Sequence, residues 1–427
     1  MRQLPTEPYR GTRDFLPREM SVRNQVFGSI YQVLERYGYT RYDGPILESA
    51  EIYEAMSGQE IAHLQLYTLQ DRSGRRLALR PEMTPSVARM IAGNASTISF
   101  PARWYCNVNC HRYERPQRGR LREHWQVNAD IFGSASLNAE IEMFELVHDL
   151  FAALGATRDM YVVRVSDRIL LDWIIRSLAG VSADKVRIVS GLIDRWEKYP
   201  RDEIRREASE AGLTGDQFST LESVLKSGPE IVGRVPQEVR QASPVAQLIS
   251  SPEFAHLFTF DPLIVRGFEY YNSTVFEVFD TDPANRRSLF GGGRYDDLTG
   301  LFSRQQIQGI GFAIGDVTLF DFLATHGLLP GPKPEYEIAV LPTEPGLDGA
   351  ARQVARLLRD AGLRTATPLE GRRIGKEIPR AVKAGARAVV IVGPDDWSAG
   401  NVTVRDLATG QQDTMPYRDA AHRLARS

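Results

Sequence analysis

Residues 103–133 read RWYCNVNCHRYERPQRGRLREHWQVNADIFG, and this stretch decides the fold. Both of its ends alternate between apolar and polar side chains, as β-strands do, and a basic loop joins them. The second strand has an apolar face and a polar face, which carries Arg122, His124, Gln126, Asn128 and Asp130. Such a face is either solvated or lines a site. Its hydrogen-bonding groups favour a site for a small polar ligand.

The rest of the chain predicts two domains around this hairpin. Alternating strands at residues 263–279 and 289–294 indicate an antiparallel sheet, while residues 166–258 have a helical pattern. A proline-rich linker at residues 328–334 precedes a segment in which strands and helices alternate. We therefore predict an α+β catalytic domain (1–329) with a mostly antiparallel sheet and a helical insertion (about 166–258). A C-terminal α/β domain (330–427) follows.

Composition narrows the class of protein. The chain has 427 residues, 42% of them hydrophobic and 25% charged, which is typical of a globular protein with two or three domains. A net charge of −2 does not by itself indicate nucleic-acid binding. No stretch approaches the ~20 apolar residues of a membrane helix, and the N-terminus has no secretory pattern, so we expect a cytoplasmic protein without membrane association.

The two cysteines indicate neither a disulfide nor a metal site. Cys106 and Cys110 would point to the same side of one strand, so we expect them to be buried and unlinked. The seven histidines are scattered, so no set of zinc ligands is complete, and we predict no metal held by the protein alone.

Several polar groups stand where strands end or turn. Glu82 and Thr84 lie where a strand gives way to a helix, with Thr84 expected as the N-cap before Pro85. Arg112 and Arg266 suit phosphate oxygens because a planar guanidinium donates hydrogen bonds in pairs, although a salt-bridged hairpin would also explain Arg112. Tyr270 and Tyr271, taken as strand residues, would point to opposite faces. The glycines at 291–293 and 309–315 indicate either close strand packing or backbone lying against a flat ligand.

These segments together resemble the histidyl-tRNA synthetases, which are class II aminoacyl-tRNA synthetases. The resemblance covers essentially the whole chain, and the C-terminal domain resembles an anticodon-binding domain. The segments that carry it are residues 10–17 (RGTRDFLP), 37–48, 79–82 (LRPE), 112–120 (RYERPQRGR, class II motif 2) and 266–271 (RGFEYY). In the last of these, Phe268 and Glu269 stand where the family usually has Leu and Asp.

The resemblance implies that histidine is activated by ATP to histidyl-adenylate and transferred to the 3′ end of the histidine tRNA. It implies ATP with Mg²⁺, and a homodimer that contacts through the motif 1 proline, Pro45. The implied catalytic residues are Arg112 and Arg266. Histidine would bind to Glu82, Thr84, Gln126, Asp130, Tyr270 and Tyr271. ATP would bind to Arg112, Glu114, Arg120, His124, Gly311 and Gly315. The tRNA acceptor end would meet Arg115 and Gln117.

The chain departs from the family pattern at two positions, both near the expected adenine. Val317 and Thr318 stand where motif 3 usually has Glu and an adenine-stacking Arg, and His124 stands where the other stacking residue is usually Phe. A divergent branch of bacterial and plastid-type synthetases shares these changes, so loss of function does not follow.

Two rival interpretations predict no catalysis. The chain could be a histidine-sensing regulatory subunit of ATP phosphoribosyltransferase, which the missing arginine favours. It could also be a tRNA-binding scaffold that kept only the fold. The C-terminal domain and the basic loop oppose the first, and the intact amino-acid pocket opposes the second.

Overall fold

The computed structural model describes residues 4–57, 64–265, 270–370 and 373–426. These residues form two compact units. One comprises residues 4–14 and 25–329, and the other comprises residues 15–24 and 330–426. Of the helices described, none is long and apolar enough to cross a membrane.

The N-terminal part of the chain begins with one long helix, whose residues 17–24 are counted with the second unit, and continues with a small sheet of the first unit. Its elements up to residue 153 are α1 (Pro17–Arg36), β1 (Thr40–Arg41), β2 (Leu47–Ser49), α2 (Ala50–Met56), β3 (Tyr67–Gln70), β4 (Arg76–Leu79), α3 (Thr84–Asn94), β5 (Ala102–His111), β6 (Glu123–Phe132) and α4 (Asn138–Ala153). Strands β2, β4 and β3 form an antiparallel three-stranded sheet. The N-cap of α3 is Met83, so the prediction that Thr84 is the cap was wrong by one residue. Thr84 instead opens the first turn, and Pro85 follows it, where a missing N–H costs nothing.

Helices dominate the next segment, between two strands of the large sheet. Its elements are β7 (Tyr161–Asp167), α5 (Arg168–Trp173), α6 (Val186–Asp194), α7 (Arg201–Glu210), α8 (Gly215–Lys226), α9 (Gln237–Ala242), α10 (Pro244–Ile249) and β8 (Thr259–Phe260), with short 3-10 and π turns between them. Thr214 and Gln217 form a reciprocal capping box that starts α8. The rings of Trp196 and Phe218 pack 5.5 Å apart. This segment is the helical region that the sequence indicated.

The first unit ends with three strands and a helix: β9 (Thr274–Asp280), β10 (Ser288–Arg294), β11 (Gly309–Gly315) and α11 (Asp316–Thr325). The large sheet has the strand order β1-β5-β6-β11-β10-β9-β7-β8 among the described residues. Only the outer pairs β1/β5 and β7/β8 are parallel. The predicted strand at residues 263–279 begins later than expected, because Tyr270 and Tyr271 precede β9 in a turn. The prediction that they alternate on a strand was therefore wrong.

The large sheet separates an apolar core from a polar surface. Val127, Ala129 and Ile131 of β6 join the core on one face, where α4 and α11 pack with Phe144 and Phe322 fully buried. The intervening Gln126, Asn128 and Asp130 are buried on the other face. Cys106 and Cys110 are free and buried, as predicted. The alternation seen in the sequence is therefore that of a sheet with one core face and one site face.

The second unit has its own sheet and core. Its elements are β12 (Ile338–Pro342), α12 (Asp348–Asp360), β13 (Thr365–Ala366), α13 (Ile374–Lys383), β14 (Ala388–Val392), α14 (Pro394–Ser398), β15 (Asn401–Asp406), β16 (Gln412–Pro416) and α15 (Tyr417–Arg426). The strand order is β13-β12-β14-β15-β16, parallel in the first three strands and antiparallel in the rest. Val340 and Val390 pack against Leu358 of α12 and Leu424 of α15.

Candidate active site

A cavity of about 970 Å³ opens on the polar face of the large sheet. Its floor is formed by β6, β10 and β11, and its walls include the loop after β5 and the end of α6. The predicted residues that line it are Glu82, Thr84, Arg112, Glu114, Arg120, His124, Gln126, Asp130, Tyr270, Tyr271, Gly311 and Gly315. From His124 to Asp130 the strand covers roughly 20 Å, which is room for two ligands end to end.

Asp130 closes one end of this row. It is 2% exposed, and Tyr295 donates a hydrogen bond to its Oδ1. Oδ2 is buried and has no partner within the described residues. Burial raises the pKa of Asp130 to about 7, against the opposing effect of the Tyr295 hydrogen bond. A half-satisfied carboxylate at the bottom of a cavity is suited to accept a hydrogen bond from a ligand.

Tyrosine rings surround that carboxylate. The centroids of Tyr271 and Tyr295 lie 6.5 Å apart with an edge-on geometry, and those of Tyr270 and Tyr271 lie 4.7 Å apart. Sequence reasoning missed Tyr295, although it lies two residues after Gly293, the last of the glycines at 291–293 that were singled out. The signal that could have identified it is a tyrosine close to a glycine-rich strand, because that strand was one candidate for lying against a ligand.

Two glycines hold the floor of the cavity close to its neighbours. A Cβ at Gly311 would lie 2.0 Å from Oδ1 of Asp130, and one at Gly293 would lie 2.4 Å from the Thr274 carbonyl oxygen. The Gly293 Cβ would also come within 2.7 Å of the Tyr271 ring. Because these contacts are with backbone or with buried groups, only glycine fits at either position. Close packing, one of the two explanations open from the sequence, accounts for both glycines.

Glu82, Thr84 and Gln126 form a polar wall beside this end. Glu82 is 2% exposed and accepts hydrogen bonds from Ser57 Oγ at 2.6 Å and from the Tyr270 hydroxyl at 3.2 Å. Gln126 lines the cavity, donates from Nε2 to Asn128 Oδ1 at 2.9 Å, and also has a side-chain hydrogen bond with His124. Carboxylate, hydroxyl and amide oxygens together make a set of acceptors for a cationic group.

The other end of the cavity is basic. Arg112 donates from Nε to the Pro81 carbonyl at 3.0 Å, and its terminal nitrogens make no hydrogen bond with the described residues. Arg120 lies 3.4 Å from Glu114. Burial and the positive charge of Arg112 lower the pKa of His124 to about 3, so its ring is neutral. A flat neutral ring beside free guanidinium donors is suited to a nucleotide.

Not every predicted residue lies in the cavity. Arg115 and Gln117 are exposed in the loop after β5, which turns tightly at Gly119 with φ +75°. Arg122, predicted on the polar face of β6, instead has its guanidinium over the rings of Tyr9 and Tyr113. Arg266 lies outside the described residues. Within the described residues no cluster of three or more His, Cys, Asp or Glu is placed to hold a metal.

The start of α11 is fixed by a contact that the sequence did not reveal. Asp316 is fully buried, accepts a hydrogen bond from the Trp125 backbone N–H at 2.9 Å, and pairs with Arg13 at 2.8 Å. This arrangement fixes the position of Val317 and Thr318, which follow Asp316 and line the cavity. Helix α11 places no arginine in the cavity, because Val317 and Thr318 stand at the positions where motif 3 usually has Glu and Arg.

Two family profiles match the chain. The one described as Histidyl-tRNA synthetase matches residues 11–318, and the one described as Anticodon binding domain matches residues 337–426. The chain is 37% identical to a histidine–tRNA ligase from Leptospira biflexa, covering 99% of this chain and 98% of that protein. It is 35% identical to the chloroplastic/mitochondrial histidine–tRNA ligase of Arabidopsis thaliana, covering 98% and 86%.

Solved structures agree. The crystal structure of histidyl-tRNA synthetase from Nostoc has a TM-score of 0.80 at 25% identity and covers 99% of this chain and all of that one. A structure from Bacillus halodurans, titled as an ATP phosphoribosyltransferase regulatory subunit/histidyl-tRNA synthetase, shares the fold with a TM-score of 0.74 at 21% identity, covering 92% and 99%. The curated relatives decide between these two titles, and the chain belongs to the histidyl-tRNA synthetase family, whose members activate histidine with ATP and ligate it to tRNA.

Proposed function

We propose a residue-level course for the reaction of this chain, which is the ATP-dependent activation of histidine and its transfer to the 3′ end of the histidine tRNA. The observation that carries it is the polarity of the cavity along β6. A half-satisfied carboxylate, Asp130, lies at one end, and the free donors of Arg112 lie at the other. Such a cavity suits an amino acid at the acidic end and a nucleotide at the basic end.

Histidine binds through its ammonium and its imidazole. The ammonium has three donors and is met by Glu82, Thr84 and Gln126, whose oxygens form the wall beside the tyrosines. One imidazole nitrogen donates to Oδ2 of Asp130, and the Tyr271 hydroxyl bonds the other. Tyr270 holds Glu82 by a hydrogen bond and closes the pocket. A ligand without an imidazole would leave these buried groups unpaired, which gives strong discrimination.

ATP binds at the basic end. His124 and the backbone at Gly315 contact the base and sugar, while Arg120 and Glu114 face the phosphates. Gly311, which the resemblance assigns to ATP, lies beside Asp130 at the acidic end instead. Mg²⁺ comes with the nucleotide, because phosphate oxygens are ligands that this ion prefers. When bound, it neutralises phosphate charge, and Glu114 is the carboxylate in this wall that could complete its coordination.

Adenylate formation requires positioning and charge stabilisation. A carboxylate oxygen of histidine attacks the α-phosphorus, the bond to the bridging oxygen breaks, and pyrophosphate leaves. Negative charge grows on the α-phosphate, and Arg112 and Arg266 stabilise it without acting as acid or base. A terminal ribose hydroxyl of the tRNA then attacks the histidyl carbonyl, and AMP leaves.

The tRNA meets the chain in two places. Arg115 and Gln117, exposed on the loop beside the cavity, contact the acceptor end. Residues 330–427 bind the anticodon, in keeping with the family match at residues 337–426. We also propose a homodimer that contacts through the segment around Pro45. A cytoplasmic location stays a prediction of the sequence.

The test is histidine-dependent exchange of labelled pyrophosphate into ATP, with and without the histidine tRNA. The chain should catalyse exchange, and Arg112→Ala should slow it by at least 100-fold, on the order of the loss of a charge-stabilising donor. Arg304→Ala, an exposed arginine of the same unit, should leave the rate unchanged. Histidine binding without any exchange would instead support the alternative that the chain is a regulatory subunit of ATP phosphoribosyltransferase. That alternative is favoured by Thr318, which stands where motif 3 usually has an arginine.

A further inference from the structure

The loop before β10 brings a pair of arginines to the basic end of the cavity. Arg286 and Arg287 both line it, directly before Ser288. The loop is anchored at Asn285, which donates to Asp280 Oδ2 at 2.7 Å and to Thr325 Oγ1 at 3.0 Å. Asn285 also accepts a hydrogen bond from Arg118 at 2.9 Å. The loop before β10 and the basic loop after β5 are therefore joined.

Arg287 lies where those two loops meet the start of α11. Built on the backbone, a Cβ at Gly119 would lie 3.4 Å from Arg287 Cδ and 3.5 Å from the Thr318 methyl group. The aliphatic stem of Arg287 thus shares one corner with Thr318. Arg287 and Thr318 both line the same cavity.

The charge of Arg287 is not neutralised by the protein. No hydrogen bond or ion pair joins it to any residue that the structure describes, although Glu114 and Arg120 are its electrostatic neighbours. Glu114 already pairs with Arg120 at 3.4 Å. Burial and the charge of Arg120 lower the pKa of Arg287, and Glu114 offsets this only in part. Arg120 and Arg287 thus share the single carboxylate of Glu114, and this corner of the cavity keeps an excess of positive charge that favours an anionic ligand.

We propose that Arg287 is a nucleotide-binding residue of this chain, and that its guanidinium holds the β- and γ-phosphates of ATP from the wall where α11 presents Val317 and Thr318 and no arginine. This assignment rests on the proposed function, because it requires ATP in this cavity. It predicts that Arg287 acts on the triphosphate and the departing pyrophosphate. The adenylate has lost both of those phosphates, so its binding does not depend on Arg287.

The test compares Arg287→Ala, Arg287→Lys, Arg286→Ala and the exposed control Arg304→Ala in pyrophosphate exchange. We expect Arg287→Ala to raise the KM for ATP and for pyrophosphate by about tenfold or more, the effect of losing a charge-assisted pair of hydrogen bonds. Arg287→Lys should recover part of the loss, since it keeps the charge but not the fork. The KM for histidine should stay within about twofold, and so should every constant of the control.

Calorimetry with a non-reactive histidyl-adenylate analogue gives the second measurement. Its dissociation constant should be the same for the wild type and Arg287→Ala. An equal loss for ATP and the analogue would place Arg287 on the adenine or the α-phosphate and overturn the proposal. An unchanged KM for ATP would overturn it too, and so would a loss seen only in Arg286→Ala. If the wild type shows no exchange, the proposed function fails, and ATP titration of the same variants still tests Arg287.

Discussion

Tyr295 donates its phenol hydrogen bond to one oxygen of Asp130, and the other oxygen of that buried carboxylate has no partner among the described residues. The tyrosine fixes the orientation of the carboxylate and partly offsets the effect of burial on its pKa. The free oxygen is thereby directed at whatever enters the acidic end of the cavity. Asp130 and Tyr295 lie 165 residues apart in the chain, so their pairing depends on the fold of the whole sheet.

Asp130→Asn should impair the use of histidine and spare that of ATP. The amide keeps the shape of the carboxyl group, but its NH₂ opposes the imidazole N–H where an acceptor is required. We expect kcat/KM for histidine to fall by about 2 to 4 kcal/mol, the range for a buried polar group left unpaired. Steady-state exchange kinetics with each substrate varied in turn measures both effects.

The exposed Asp202 of α7 supplies a matched control, since Asp202→Asn makes the same chemical change at a residue that does not line the cavity. It should leave every constant unchanged. A higher KM for ATP with histidine unaffected would place Asp130 against the nucleotide, contrary to our assignment.

The stability of the ligand-free protein should depend on pH through the same residue. The pKa of Asp130 is about 7 in the folded chain and about 3.9 when unfolded, so the unfolded state releases its proton first as pH rises. The stabilising contribution of Asp130 is fully present below about pH 4 and is lost as pH rises to about 7. Between pH 5 and pH 8 the loss from this group is about 3 kcal/mol, or about 1.4 for each unit up to 7.

Urea unfolding at these two pH values, for the wild type and Asp130→Asn, measures that loss. Because asparagine does not titrate, the variant should lack this component, and its stability relative to the wild type should rise with pH. A constant difference between the two proteins from pH 5 to pH 8 would show that Asp130 does not titrate in this range.

Glu140→Ala should destabilise the first unit strongly. Glu140 accepts hydrogen bonds from Nε and Nη2 of Arg294 at 2.6 and 2.7 Å, and both side chains are at least 95% buried. Among the described residues, removing the carboxylate leaves this buried arginine with Asp296, at 3.4 Å, as its remaining acidic partner. Breaking such a pair costs about 3 to 5 kcal/mol.

Denaturant unfolding gives the free-energy change, with Glu54→Ala as the comparison. Glu54 also meets an arginine at 2.6 Å, but Arg76 is 55% exposed, so this change should cost less than about 1 kcal/mol. Equal losses for the two variants would mean that burial does not set the strength of the Arg294 pair.

A fragment ending at Leu329 should separate the two halves of the reaction. It keeps every described residue that lines the cavity and lacks the part of the second unit that begins at Pro330. We expect histidine-dependent pyrophosphate exchange to persist and charging of tRNA to fall steeply. The exchange assay verifies that the fragment has folded. Charging equal to that of the full chain would show that residues 330–427 serve another purpose.

The sequence predicts those features that depend on local pattern. Alternation along β6 identifies His124, Gln126 and Asp130 as one polar face, because side-chain direction follows directly from the strand. Alternation fails for Tyr270 and Tyr271, which have strand-forming side chains but occupy a turn before β9. A preference for strands is weak without a partner strand to satisfy the backbone.

Features that depend on distant partners are not predictable in this way. The Arg13–Asp316 pair joins residues 303 apart, and no local pattern marks either one. Arg122 was expected on the site face but is engaged by Tyr9 and Tyr113, and only the folded N-terminal segment places Tyr9 there. The adjacent glycines could have drawn attention to Tyr295, yet its partner Asp130 is visible only in the sheet.

The glycine floor limits how the proposed histidine pocket can evolve towards other amino acids. Any side chain at Gly311 or Gly293 meets Asp130, the Thr274 backbone or Tyr271, so mutation cannot reshape the pocket from below. Laboratory selection for a histidine analogue therefore has to act on the tyrosines and on the wall formed by Glu82 and Thr84. Histidine analogues that carry an extra group on the imidazole edge facing the sheet should not bind to any variant in which β10 and β11 are unchanged.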